Sequence, residues 1–548
     1  MMKYTSILLS FICGLSLISC QSSLNSSEVD SKDTFSWKSA NIYFLLTDRF
    51  NTAESDTTRV GADKETAVLR GFEGGNLQGV TNKIKEGYFQ KLGVDAIWTT
   101  PVVRQIDDAT DEGTGVTYGY HGYWTKDWTS IEPSFGTYDE LKEFIETAHD
   151  AGIKVVMDAV LNHTGPVTEL DPTFTESWVR ETPPCDFKDY QGTVECTLVA
   201  NLPDIKTEST EEVELPQTLL DFWESEHRLE QEIAELDTFF NKTGLRKTPR
   251  NYIIKWLTDY VRELGIDGFR VDTTKHVDED SWAVLKQEAE RAFEEYHQKN
   301  NSVPTAPFYM VGEVYFYGIS GGPEYNFGDK KVNYFDYGFD ALINFDFKTD
   351  ASNDYEFVFH KYDSLLNQTH ENISILSYIS SHDDSQPFDI ERKEPIKSAN
   401  MLLLAPGGVQ IYYGDETARP LVVEGAVGDA NLRSFMNWSS IENPETKEIL
   451  THWQKLGQFR KSHPAIGLGA HERLQTEPYF FSRTYEDDIV IIGLELIQNK
   501  EIDIQLPAEW SAIEKWYDSY SNQWFTAQNG IVHLKTDQST VLLSPEFP

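Results

Sequence analysis

Residues 268–276 read GFRVDTTKH. Phe269 and Val271 alternate with Arg270 and Asp272, the period-two pattern of a buried strand that stops at an acid. Side chains two apart share a face. Arg270 therefore stands beside Asp272, and the neighbouring cation favours the charged form of the carboxylate. A charged Asp at a strand end is what a nucleophile requires. An Arg-x-Asp pair on its own is more often structural, so its surroundings decide.

Working outward, short apolar runs alternate with helical patterns from residue 41 onward. The expected strands are 42–46, 96–99, 155–159, 268–272, 309–313, 341–346, 377–380 and 409–412. Helical periodicity predicts 77–92, 138–151, 252–264, 281–299, 355–366, 396–404 and 447–461. Strand–helix alternation repeated in this way predicts a parallel sheet closed into a (β/α)8 barrel, an α/β fold. The stretch 162–249 is far too long for a barrel connection and predicts a domain inserted after the third strand. Past residue 465 the helical pattern ends, and runs at 479–482, 488–496 and 540–544 predict a small β-sandwich. The expected division is a leader at 1–19, a tether at 20–36, barrel at 37–163 and 249–463, inserted domain at 164–248 and β-sandwich at 464–548.

The chain has 548 residues and a formal net charge of −42. Such acidity argues against nucleic acid, which demands a basic footprint. It permits calcium, which takes oxygen ligands. The 13 Trp and 26 Tyr would suit a sugar binder, since both present an apolar face with a polar handle.

Lys3 followed by the apolar run 7–18 reads as an export leader, too short to span a bilayer. It ends in LISC, 17–20, which resembles a bacterial lipobox with lipid carried on Cys20. An ordinary signal peptide that happens to contain Cys20 is the alternative. The polar, Ser-rich stretch 21–34 reads as a tether. An exported lipoprotein, periplasmic or on the cell surface and anchored in the outer membrane, is expected, as a monomer. Cys185 and Cys196 remain in the exported part, and a disulfide between them is the natural pairing.

Chemistry in such barrels sits at the C-terminal strand ends. Those ends carry Asp158 with Asn162 and His163, then Arg270 and Asp272, then Glu313, then His382 and Asp383. Carboxylates around one cavity, without a Ser–His or Cys–His partner, suggest glycoside chemistry. Retaining glycosidases need two carboxyls about 5–5.5 Å apart, a nucleophile and an acid/base. Asp272 is the candidate nucleophile. Glu313 ends the mostly apolar run FYMVGE, and both apolar surroundings and neighbouring acids raise a carboxyl pKa as a general acid requires. Asp383 is placed to bond sugar hydroxyls, as are His163 and His382.

These segments together resemble glycoside hydrolase family 13, the α-amylase family. DAVLNH at 158–163, GFRVDTTKH at 268–276, VGEV at 311–314 and SSHDD at 380–384 are similar to its four catalytic motifs. NLPDI at 201–205, GVDAIWTTP at 93–101, GGVQIYYGDE at 407–416 and YHGYW at 120–124 match further family segments, over roughly residues 40–460. The resemblance implies Asp272 as nucleophile, Glu313 as acid/base, Asp383 as the acid that stabilises the transition state and Tyr123 as a stacking platform. It implies a structural Ca2+ held by Asn162, Asp204 and a backbone oxygen of His276. Lys275 and His276 resemble the pair found in α-1,4-cutting members, placed to donate to hydroxyls beyond the cleavage point. Two departures stand out: Ser381 replaces the usual Asn of the fourth motif, and 74–76 is Gly-Gly-Asn rather than Gly-Gly-Asp.

The resemblance thus implies an α-amylase acting on starch and malto-oligosaccharides. Cyclomaltodextrinase, neopullulanase or glucanotransferase activity shares the intermediate and stays open. A non-catalytic surface glycan-binding lipoprotein is the rival of another class, opposed by the presence of both Asp272 and Glu313.

Overall fold

Period-two strands buried on both faces need helices over them, and the molecule meets that need with a closed barrel. The structure, a computed structural model, describes residues 35–53, 64–111 and 113–545. The leader, Cys20 and most of the tether lie outside the described residues.

The barrel strands, in chain order, are Asn41–Leu45, Ala96–Thr99, Lys154–Ala159, Gly268–Val271, Tyr309–Gly312, Ala341–Asn344, Ile375–Tyr378 and Gly408–Tyr412. Each is parallel to its neighbours, and the first pairs with both the second and the eighth, closing the ring. The register aligns Arg270 with Asp158 on the third strand and with Val311 on the fifth. Asp272 and Glu313 therefore fall one position beyond their strand ends, side by side. The seventh strand lies two residues earlier than its expected span, so His382 and Asp383 ride on the loop after it rather than on its end.

Local signals set most helix ends. Asn76 caps Leu77–Lys85 by accepting from Gly79 N. Thr137 and Glu140 form a reciprocal capping box on Tyr138–Asp150. Pro249 opens Pro249–Leu264, and Gly265 ends it in the left-handed region. The helix expected over 77–92 is two helices, because Gly87 at φ 75° breaks the run before Tyr88–Lys91.

The segment between the third and fourth strands carries the short pair Val179–Arg180 with Asp204–Ile205 and the helices Gln217–Ser225 and Leu229–Thr243. Cys185 and Cys196 are joined in a disulfide. After Pro444–Ser462 the chain forms eight antiparallel strands, hydrogen-bonded as one continuous sheet from Ala470–Gln475 to Val541–Ser544. Phe480, Ile491, Ile504, Trp516, Val532 and Leu543 share one core, so the sheet folds over on itself. Barrel, inserted segment and C-terminal sheet belong to one compact unit, Ser36–Pro548. Among the described residues no helix is long and apolar enough to cross a membrane.

Candidate active site

Arg270 is the centre of the site. It is 1% exposed. Nη1 donates to Asp272 Oδ1 at 2.7 Å and to Asp158 Oδ1 and Oδ2 at 2.9 and 3.1 Å. Nη2 lies 2.9 Å from Glu313 Oε1. One guanidinium thus spans three carboxylates from three adjacent strands. Asp272 and Glu313 share its two terminal nitrogens, an arrangement suited to the short separation of about 5–5.5 Å rather than the wide gap that admits an activated water.

The other contacts orient these acids. Thr273 N donates to Glu313 Oε2 at 2.9 Å. Asp158 Oδ2 also accepts from Tyr123 OH at 2.9 Å and from Trp98 Nε1 at 3.1 Å. Burial pushes the Glu313 carboxyl well above the usual carboxylate range; Arg270 pulls it down, while Asp272 and Asp383 push it further up. Asp158 is raised to about 6, again by burial first, with Arg270 opposing.

Tyr123 stacks on His382 with centroids 5.2 Å apart. Burial, then Arg433 and Arg270, hold His382 well below its ordinary pKa, so it is neutral. His163 is lowered by burial and bonds the Tyr123 carbonyl from Nε2 at 3.2 Å. Asp383 is more open, its side chain 31% exposed, with Ser381 Oγ donating to it at 3.2 Å. Ser381, the departure from the expected Asn, therefore touches the acid directly.

Lys275 and His276 sit on the loop beyond Asp272. Lys275 Nζ donates to Tyr315 O and Tyr325 OH, both at 3.1 Å. His276 Nδ1 bonds Thr193 O at 3.0 Å, tying the disulfide-closed loop to the barrel. Sequence reasoning missed two exposed aromatics here. Phe316 is 74% exposed, with its ring 5.8 Å from Lys275 Nζ, and Phe187 is 55% exposed, with its ring 6.0 Å from His276. Both have positive φ. The usable signal was the aromatic run VYFYG directly after Glu313. Trp98 was also missed as a donor, although it lies in a quoted motif.

Asn162 and Asp204 meet beside His163. Asn162 Nδ2 is 3.2 Å from Asp204 Oδ2, both residues are buried, and Asp204 Oδ1 has no hydrogen-bond partner. A buried carboxylate oxygen left without a donor fits a hard cation. The Asn162 amide could offer its oxygen to the same ion by rotating. Among the described residues no group of three or more His, Cys, Asp or Glu side chains could hold a metal, so backbone oxygens would have to complete such a shell. A cavity of about 670 Å3 near Arg228, Trp256 and Glu263 contains none of the groups named above.

The barrel gathers its carboxylates on the C-terminal rim, where chemistry in this fold sits. The chain belongs to the α-amylase family, glycoside hydrolase family 13: the family's sequence model, Alpha amylase, catalytic domain, matches residues 44–443. The chain is 34% identical over 530 residues to the periplasmic alpha-amylase of Escherichia coli K12, covering 86% of this chain and 74% of that protein. It is 26% identical to the cyclomaltodextrin glucanotransferase of Thermoanaerobacterium thermosulfurigenes, of which it spans only 59% while 83% of this chain is matched. In fold it is similar to an Anoxybacillus alpha-amylase, with a TM-score of 0.64 and 23% identity, covering 94% of this chain and 100% of that one.

Proposed function

We propose that this chain is a retaining α-glucan hydrolase that cuts internal α-1,4 bonds of starch and malto-oligosaccharides. Glu313 protonates the glycosidic oxygen while Asp272 attacks the anomeric carbon. The bond to the leaving sugar breaks as the bond to Asp272 forms. Glu313, now ionised, takes a proton from water, which displaces Asp272 and restores the α configuration. Arg270 holds the nucleophile and the acid in register. Asp383, His163 and His382 bond the ring hydroxyls, and Tyr123 packs on the ring. Lys275, His276, Phe187 and Phe316 serve sugars beyond the cleaved bond.

The observation that supports this most is Arg270 joined to Asp272, Glu313 and Asp158 on one rim. A purely glycan-binding protein has no need of that buried charge cluster. A glucanotransferase or cyclomaltodextrinase reading is favoured by the transferase relatives and by the exposed aromatics beside Lys275, which would hold an acceptor sugar. Asn162, Asp204 and a His276 backbone oxygen would hold Ca2+, which would join the inserted segment to the barrel. The export leader and the periplasmic relative support export, and Cys20 would carry the lipid.

The test is a time course of products from soluble starch, pullulan and a cyclodextrin, with and without a calcium chelator. Rapid fragmentation of starch with pullulan spared is expected, with stability lowered by chelation. Preference for cyclodextrin or pullulan would move the chain to the oligosaccharide-cutting reading. No turnover of any of the three would overturn the hydrolase. A Cys20→Ser change should release the protein from membranes; retention there would sink the lipid anchor.

A further inference from the structure

The fourth motif ends in two acids, Asp383 and Asp384, and the mechanism uses only the first. Asp384 is 4% exposed. Its Oδ1 accepts from Lys348 Nζ at 2.5 Å and from Gln386 N at 3.1 Å, and its Oδ2 accepts from Tyr378 OH at 2.5 Å. Lys348 lies on Phe347–Asp350, the short helix after the sixth barrel strand, and Tyr378 is the last residue of the seventh. In the Lys348–Asp384 pair the acid is buried and the lysine largely covered, with side chains 6% and 11% exposed. Asp384 therefore fastens the loop after the seventh strand to the loop after the sixth.

Asp383 itself is held weakly, by Ser381 Oγ at 3.2 Å, with His382 Nδ1 3.6 Å from the same oxygen and beyond hydrogen-bond reach. Its two chain neighbours are held firmly. Arg433 Nε donates to His382 O at 2.8 Å on one side, and Asp384 is clamped on the other. A side chain open to substrate thus stands on a backbone pinned at both ends.

We infer that Asp384 is a positioning residue for Asp383, acting through Lys348 and Tyr378 to fix where the Asp383 carboxylate meets the sugar. The inference rests on the role given to Asp383 above. A carboxylate that acts in the transition state loses effect steeply when displaced, about a hundredfold for a shift on the order of 1 Å. The expected consequence of Asp384→Asn is a kcat roughly ten- to a hundredfold lower with KM changed less than about twofold.

The deciding measurement is a double-mutant cycle with Asp383→Asn, read on α-maltosyl fluoride so that crippled variants still turn over measurably. D384N should cost roughly ten- to a hundredfold in the parent but less than about threefold in D383N, because the group it positions is already gone. Tyr378→Phe removes only one hydroxyl from the clamp and keeps the fold if D384N does not; it should show a smaller loss that likewise vanishes in D383N. Equal losses in both backgrounds, or a loss confined to KM, would overturn the inference and leave Asp384 purely structural. Normal turnover in D383N would instead overturn the role of Asp383 in the proposed function.

Discussion

Replacing Arg270 by Met tests the electrostatic argument at its centre. Methionine occupies a similar space but removes the charge that contacts Asp158, Asp272 and Glu313. Breaking a buried ion pair costs about 3–5 kcal/mol because the partner is left charged and unpaired. An unfolding entropy of roughly 2.1 cal/mol/K per residue gives roughly 1 kcal/mol/K for about 500 residues, so the unfolding midpoint should fall by about 3–5 °C near pH 7. The pH dependence has a definite sign. Arg270 pulls down the pKa of Glu313 and of Asp158, so in R270M both carboxyls titrate higher. A carboxyl whose folded pKa lies above its unfolded value costs stability above the folded pKa, and that cost disappears below the unfolded value of about 4. The deficit relative to the parent should therefore grow as the pH rises through the parent's Asp158 value of about 6 and narrow as the pH falls below it. Calorimetry of both proteins across that range checks it, alongside starch hydrolysis, which should drop by about 10²–10³ in kcat. A midpoint unchanged at neutral pH, or a deficit that widens on acidification, would refute the reasoning.

Glu313→Gln should abolish starch cleavage yet accept α-maltosyl fluoride, whose leaving group needs no acid. With no base to activate water, a maltosyl adduct should accumulate, visible by intact mass and absent from the Asp272→Asn, Glu313→Gln double variant. In the parent enzyme, kcat/KM should fall with rising pH only above the ordinary carboxylate range, because burial raises Glu313. Phe316→Ala should weaken substrates that extend past the cleaved bond, by about two- to tenfold in kcat/KM for a lost contact of roughly 0.5–1.5 kcal/mol, and leave maltosyl fluoride unaffected. Replacing Cys185 and Cys196 by Ser reopens a loop with a sequence separation of 11. Chain entropy puts the loss at about 3 kcal/mol, read as a lower unfolding midpoint.

Much of this was legible because it is periodic. Barrel strands alternate or run apolar, and their acids fall at their ends, so Asp272 beside Arg270 follows from spacing alone and is found at 2.7 Å. What spacing cannot reveal is register between strands. Asp158 lies 112 residues before Arg270, and only the closed ring puts the two on one guanidinium. The Lys348–Asp384 clamp is hidden for the same reason, since it joins two different loops. The seventh strand is misplaced by two residues because SYISS mixes Ser with apolar residues and blurs the end. Gly87 breaks the first helix through a backbone angle, and the apolar pattern runs on past it.

The charge balance favours a proton on one of these acids. Among the described residues Arg270 is the one cation seen to contact Asp158, Asp272 and Glu313, and a single positive charge cannot neutralise three buried carboxylates. The neighbouring histidines do not help: burial holds His163, His276 and His382 below their ordinary pKa, so they stay neutral. A neutral sugar brings no charge of its own. One proton relieves part of the remaining excess of two negative charges, and burial with two neighbouring acids favours Glu313 as the group that carries it. In the proposed mechanism, the same cluster that favours a proton on Glu313 presents Asp272 for attack. Transfer of that proton to the leaving oxygen, in the same mechanism, deepens the negative excess of the site as positive charge develops at the anomeric carbon. Electrostatic stabilisation is then strongest at the transition state, the only place where it raises kcat.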